Sequence, residues 1–98
     1  MSAITIVAIL KARKGNERLL RDELLKVAAP SRAEAGCLDY VLHESAEHPE
    51  QFVFYETWQD QAALDAHIAS SHYRAYRQAA EAWLDTREVY RLNIIANA

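Results

Sequence analysis

The chain has 98 residues, 51% of them hydrophobic, which is enough for one core and too few for two ordinary domains, so a single domain over 1–98 is expected. Its formal net charge of −3 comes from 14 acidic and 11 basic residues with no Lys/Arg block, which argues against nucleic acid as a partner. No apolar run approaches the roughly 20 residues that span a bilayer, and Met1-Ser2-Ala3-Ile4-Thr5 has no basic leader region. Cys37 is the only cysteine, so an internal disulfide and a multi-thiolate metal site are excluded, and a cytoplasmic protein without membrane contact is the expectation.

From Ala3 to Ala12 both alternating sets are apolar, with Ile4, Ile6, Ala8 and Leu10 on one and Val7 and Ile9 on the other. That predicts a strand whose two faces are both covered. Gly15 and Asn16 break the run. Leu20, Leu24, Val27 and Ser31 then recur at helical spacing, with Arg18, Arg21, Asp22 and Lys26 facing out. Pro30 is expected to kink or restart this helix and Gly36 to stop it. Cys37 to Ser45 alternates as a strand and Cys37 reads as a small buried hydrophobe. The polar connector Glu47-His48-Pro49-Glu50 leads to a β-prone run from Gln51 to Trp58, which predicts a hairpin. Asp60 can cap a short helix carrying Leu64, His67 and Ile68. Ser70 or Ser71 can cap another, with Tyr73, Tyr76, Ala80 and Trp83 or Leu84 in helical repeat. From Arg87 to Ala96, Val89, Arg91, Asn93 and Ile95 alternate with Tyr90, Leu92 and Ile94, predicting a last strand.

The order βαββαβ, with helical crossovers, is that of an α+β ferredoxin-like sandwich with a four-stranded antiparallel sheet, because right-handed crossovers place both helices on one face. The other face is left bare. Since the first strand is apolar on both sides, a symmetric second copy is the simplest cover, and a homodimer is expected.

The segments Ala29-Pro30-Ser31-Arg32-Ala33-Glu34-Ala35-Gly36-Cys37, Phe52-Val53-Phe54-Tyr55-Glu56-Thr57-Trp58, and Ala63-Leu64-Asp65-Ala66-His67 followed by Ser70-Ser71-His72-Tyr73 together resemble the antibiotic-biosynthesis monooxygenase family over essentially the whole chain. The resemblance implies a dimeric α/β barrel. Its members include cofactor-free oxygenases of polyketide phenols and quinols, haem-degrading oxygenases, and an isomerase of a phosphorylated sugar. The chain departs from the haem-degrading branch, which carries an Asn on the first strand, a Trp at the position of His67, and a ligating His where this chain has Arg77. The histidine pair is closer to the quinol-oxygenase and sugar-isomerase members.

A cofactor-free oxygenase deprotonates a phenol or quinol so that the anion can reduce dioxygen, and it needs a base, an anion stabiliser and a dry pocket. His72, at a predicted helix N-terminus that disfavours imidazolium, is the preferred base. His67, near a helix end that favours the protonated form, is its assistant. Glu56 shares a strand face with Phe52, Phe54 and Trp58 and can orient or share the proton. Trp58, Tyr73, Tyr76, Phe54 and Asn93 are the expected contacts to a small aromatic substrate; Arg74, Arg77 and Arg91 are candidates for an anion. For each of these the plain alternative is core packing, capping or a solvated surface. Metal chemistry is not expected: His43-Glu44-Ser45-Ala46-Glu47-His48 spaces its histidines one residue too far for the zinc helix pattern, and Asp65, His67 and His72 make a poor ligand set. With two glycines in the chain and no phosphate loop, no cofactor is expected. Three functions therefore stand: a cofactor-independent monooxygenase, a sugar isomerase using the same histidines, and a non-catalytic small-molecule-binding module.

Overall fold

The computed structural model describes residues 3–96. Its elements are β1 (Ile4–Ala12), α1 (Glu17–Arg32), β2 (Cys37–Glu44), β3 (Gln51–Trp58), α2 (Gln61–Ala69), α3 (Ser71–Ala80), a 3₁₀ turn (Glu81–Trp83) and β4 (Leu84–Leu92). The sheet order is β2-β3-β1-β4 with every neighbouring pair antiparallel, which is the α+β ferredoxin-like arrangement. The second crossover is split in two at Ser70, as the two capping signals predict.

Strand alternation decides the faces. On β1, Ile4, Ile6, Ala8 and Leu10 stand beside Trp58, Glu56, Phe54 and Phe52 of β3, and all of these are buried under the helices. Leu20, Leu24, Val27 and Ala28 of α1 and Tyr76 and Ala80 of α3 close the core from above. On the opposite sheet face Val7, Ile9 and Val53 are half-buried, while Val41, Tyr55, Tyr90 and Leu92 are exposed. Among the described residues no helix is long and apolar enough to cross a membrane.

Three local expectations are corrected. Pro30 does not restart α1, which runs on to Arg32. Its missing N–H would have paired with the carbonyl of Lys26, an exposed residue that water can serve, so the loss is tolerated in the last turn. Gly36 is not the helix stop: the helix ends at Ala33, and the only positive φ in the described chain is at Gly15. Glycine at 36 is required instead by close approach, because a β-carbon there would lie 2.2 Å from the Cβ of Ala63 on α2. The last strand starts at Leu84 and ends at Leu92 rather than running from Arg87 to Ala96, since Leu92 pairs with Thr5 and β1 offers almost no backbone beyond it.

Candidate active site

Two caps set the site. Asp60 Oδ1 accepts from the N–H of Ala63 at 2.9 Å and starts α2, which turns Leu64 and His67 into the core. Ser70 ends α2 and starts α3: its hydroxyl donates to the carbonyl of His67 at 2.6 Å and accepts from the N–H of Tyr73 at 3.3 Å. The turn after α1, folded onto α2 through Gly36, brings Glu34 to the imidazoles.

His67 is 2% exposed and lies among aromatic rings, with its centroid 4.4 Å from Trp58, 4.9 Å from Tyr73 and 5.4 Å from Tyr40. Its Nδ1 is 2.7 Å from Glu34 Oε2, and Nε2 of His72 is 2.8 Å from the same oxygen. A carboxylate only accepts, so both ring atoms carry protons, and neutral His67 is the Nδ1–H tautomer with a bare lone pair on Nε2. Burial pushes the pKa of His67 down, with Glu34 pulling the other way. The contact is thus a charge-assisted hydrogen bond from the N–H of a neutral ring to the carboxylate rather than an ion pair. The expected preference of this helix end for imidazolium is overridden by desolvation.

A cavity of about 210 Å³ opens between α2, α3 and the sheet, with Glu56, His67, Tyr73 and Arg87 as its polar wall and Ile6, Ala8, Leu64, Ile68 and Val89 as its apolar one. Two buried side-chain polar atoms lack a partner among the described residues, His67 Nε2 and Arg87 Nε, and both belong to residues of this wall. Burial raises Glu56 to a pKa of about 7, although the indole N–H of Trp58 donates to it at 3.0 Å and Arg87 also favours its charged form. The hydroxyl of Tyr73 accepts from Arg87 Nη2 at 2.9 Å and from Arg77 Nη1 at 3.2 Å.

Glu56, His67 and Tyr73 therefore meet at one cavity. His72 does not join them: it stands behind Glu34, on a groove formed with Glu23, Lys26, Val27 and Pro30 on the far side of His67. Trp58 is fully buried and backs the His67 ring, and Phe54 and Tyr76 are core residues packed against Tyr40 and Tyr73 respectively. Asn93 is exposed beyond the end of β4, outside the cavity. Arg74 and Arg77 are also exposed, and Arg91 is engaged with Gln61 at 2.8 Å. Cys37 is half-buried against the core, and burial raises its thiol pKa. Asp65 points away and accepts from Gln61.

Two residues of the site escape sequence reasoning, Glu34 and Arg87. Glu34 stands in the turn that precedes Cys37, where helix periodicity has ended and strand alternation has not begun. Arg87 shares the helix-side face of its strand with Val89 and Arg91, both of which are exposed at this edge of the sheet.

Residues 3–79 match the family model described as antibiotic biosynthesis monooxygenase. The chain is 38% identical over 76 residues to "Putative monooxygenase Rv0793" of Mycobacterium tuberculosis, covering 78% of this chain and 74% of that protein. The solved structure of Rv0793 superposes with a TM-score of 0.91 at 33% identity and 99% coverage of both chains. The structure of PA3566 from Pseudomonas aeruginosa gives a TM-score of 0.94 at 35% identity, covering 98% of this chain and 97% of that one. "Probable quinol monooxygenase YgiN" of Escherichia coli K12 is 26% identical over 86 residues, covering 78% of this chain and 83% of its own length. With the fold and the family match in agreement, the chain belongs to the antibiotic biosynthesis monooxygenase family.

Proposed function

We propose that the chain is a cofactor-independent monooxygenase that oxidises a small electron-rich aromatic, a quinol or polyketide-type phenol, with dioxygen, and that His67 is its general base. The observation that carries this reading is the bare Nε2 of His67, buried on a residue of the cavity wall while Nδ1 is held by Glu34. Nε2 takes the phenolic proton, and Glu34 stabilises the imidazolium that forms. The phenolate sits against the guanidinium of Arg87 and passes electrons to dioxygen, which bonds to a ring carbon as a peroxide. Glu56, poised near neutrality, returns a proton to the outer oxygen as the O–O bond breaks. One oxygen atom stays on the ring as a carbonyl, the ring hydrogen passes as a proton to Glu56, and the other oxygen leaves as water with the proton that Glu56 gave and the one that His67 holds. The cavity is smaller than the roughly 300–1,000 Å³ of sites for drug-sized ligands, which favours one or two rings. The name of the E. coli relative supports a quinol.

A cytoplasmic homodimer is part of the same proposal. Val7, Ile9, Val41, Val53, Tyr55, Tyr90 and Leu92 form an open apolar sheet face, and Lys11, Asp39 and Glu88 on that face supply charges of both signs, which suits a second copy turned by a two-fold axis.

Oxygen uptake with a panel of quinols tests the chemistry: uptake above autoxidation that disappears in His67→Gln is expected, and product formed without dioxygen would sink the reading. Because Glu56 and His67 share one cavity as an acid and a base, isomerisation next to a carbonyl is the second reading. It predicts solvent deuterium in the substrate and no oxygen consumption.

A further inference from the structure

We propose that Glu34, His67 and His72 bind a divalent transition-metal ion of the zinc type, and that this ion switches the cavity off by turning His67 Nε2 from a proton acceptor into a donor. The three ligand atoms, one each from Glu34, His67 and His72, lie within 4.8 Å of one another. They come from three separate segments, the turn after α1, α2 and the start of α3. Two imidazole nitrogens converge at 2.7 and 2.8 Å on one carboxylate oxygen. Zinc bonds of about 2.0–2.2 Å set neighbouring ligand atoms roughly 3.4 Å apart, so the partly exposed side chains of Glu34 and His72 must move by about an ångström to close on an ion beside the fixed His67. Imidazole with a carboxylate suits zinc and its neighbours, whereas magnesium and calcium favour oxygen ligands throughout. His67 is rigidly packed, while the side chains of Glu34 and His72 are 16% and 23% exposed, so an ion can enter from the groove beside His72 without crossing the cavity.

The switch follows from imidazole chemistry. A neutral ring that binds metal through one nitrogen carries its proton on the other. An ion at Nδ1 of His67 therefore moves that proton to Nε2, and the same exchange occurs in reverse atoms on His72. No proton leaves either ring; two N–H bonds to Glu34 are replaced by two bonds to metal. The nitrogen assigned as the base then has no lone pair to offer. Binding stands on the geometry alone, whereas the loss of activity rests on the monooxygenase reading.

The test uses the full chain stripped by chelator. Calorimetry with Zn²⁺ should give one ion per chain, with no saturable heat from Mg²⁺. Glu34→Gln and His72→Gln should each weaken binding by more than the roughly 10–100-fold that loss of a supporting partner costs. His43→Gln, His48→Gln and Cys37→Ser should bind as the parent does. Ring-nitrogen NMR should show the His67 proton moving from Nδ1 to Nε2 as zinc is added. Absence of saturable 1:1 binding, or binding indifferent to Glu34→Gln and His72→Gln, overturns the site. Binding with the proton still on Nδ1, or zinc-bound protein with undiminished oxygen uptake, overturns the switch. A chain without oxygen uptake on any quinol defeats the monooxygenase reading instead, and calorimetry and NMR still decide the site.

Discussion

The Cα of Gly36 lies against Ala63 with no room for a side chain: a β-carbon there would stand 2.2 Å from Ala63 Cβ and 3.3 Å from its Cα. This contact, between the turn after α1 and the first turn of α2, carries Glu34 to His67. Gly36→Ala should cost about 1–3 kcal/mol, as overpacking does, and should weaken the Glu34–His67 hydrogen bond. Urea denaturation reads the first effect and the low-field Nδ1 proton of His67 the second. Adding Ala63→Gly to Gly36→Ala should restore both.

The division of labour between the histidines is testable by exchange. His67→Gln should lower oxygen uptake by about 10²–10⁴-fold, the usual worth of a general base. His72→Gln, which leaves the cavity wall intact, should lower it by less than about tenfold. The reverse order would return the base to His72.

Glu56 gives a pH signature. Its pKa rises in the fold from 4.5 to about 7, chiefly through burial. The folded chain then keeps a proton that the unfolded chain has released, so stability falls as pH climbs from about 4.5 to about 7, by about 3 kcal/mol. His67 works the other way: its depressed pKa means that the unfolded chain binds the extra proton, so its contribution rises with pH up to about 6.5. The quantity to compare is therefore the urea midpoint of the wild type minus that of Glu56→Gln, measured at pH 5 and pH 8. The variant should gain relative stability at pH 8. An equal difference at both values would mean that no proton is buried with Glu56.

Tyr55 is exposed on the open face, between Val7 of β1 and Val41 of β2. Tyr55→Asp should leave the fold intact and yield monomers by light scattering where the parent gives dimers. A parent chain that is monomeric at micromolar concentration would contradict the dimer.

Much of the architecture is legible in the sequence because local patterns have local causes. Alternation in Ile4–Ala12 and Gln51–Trp58, together with the caps at Asp60 and Ser70, sets the strands and the split crossover. Glu56, His67 and Tyr73 are legible for the same reason, since strand and helix periods point them inward. Glu34 is not, because its role depends on the packing of a turn against a helix 27 residues further on, counted from Gly36 to Ala63. Pro30 and Gly36 mislead for a related reason: each is judged by its local habit, while solvent at Lys26 and a neighbour at Ala63 decide the outcome.

The single hydroxyl of Ser70 holds the backbone of His67 on one side and of Tyr73 on the other. It works as a fixed hinge pin between the helix that carries the proposed base and the helix that carries the aromatic wall. Ligand shape can therefore be retuned along α3 and β4, at Tyr73 or Val89, without disturbing the Glu34–His67 pair. Directed evolution toward bulkier aromatics should accumulate changes on that side of the pin and spare the other.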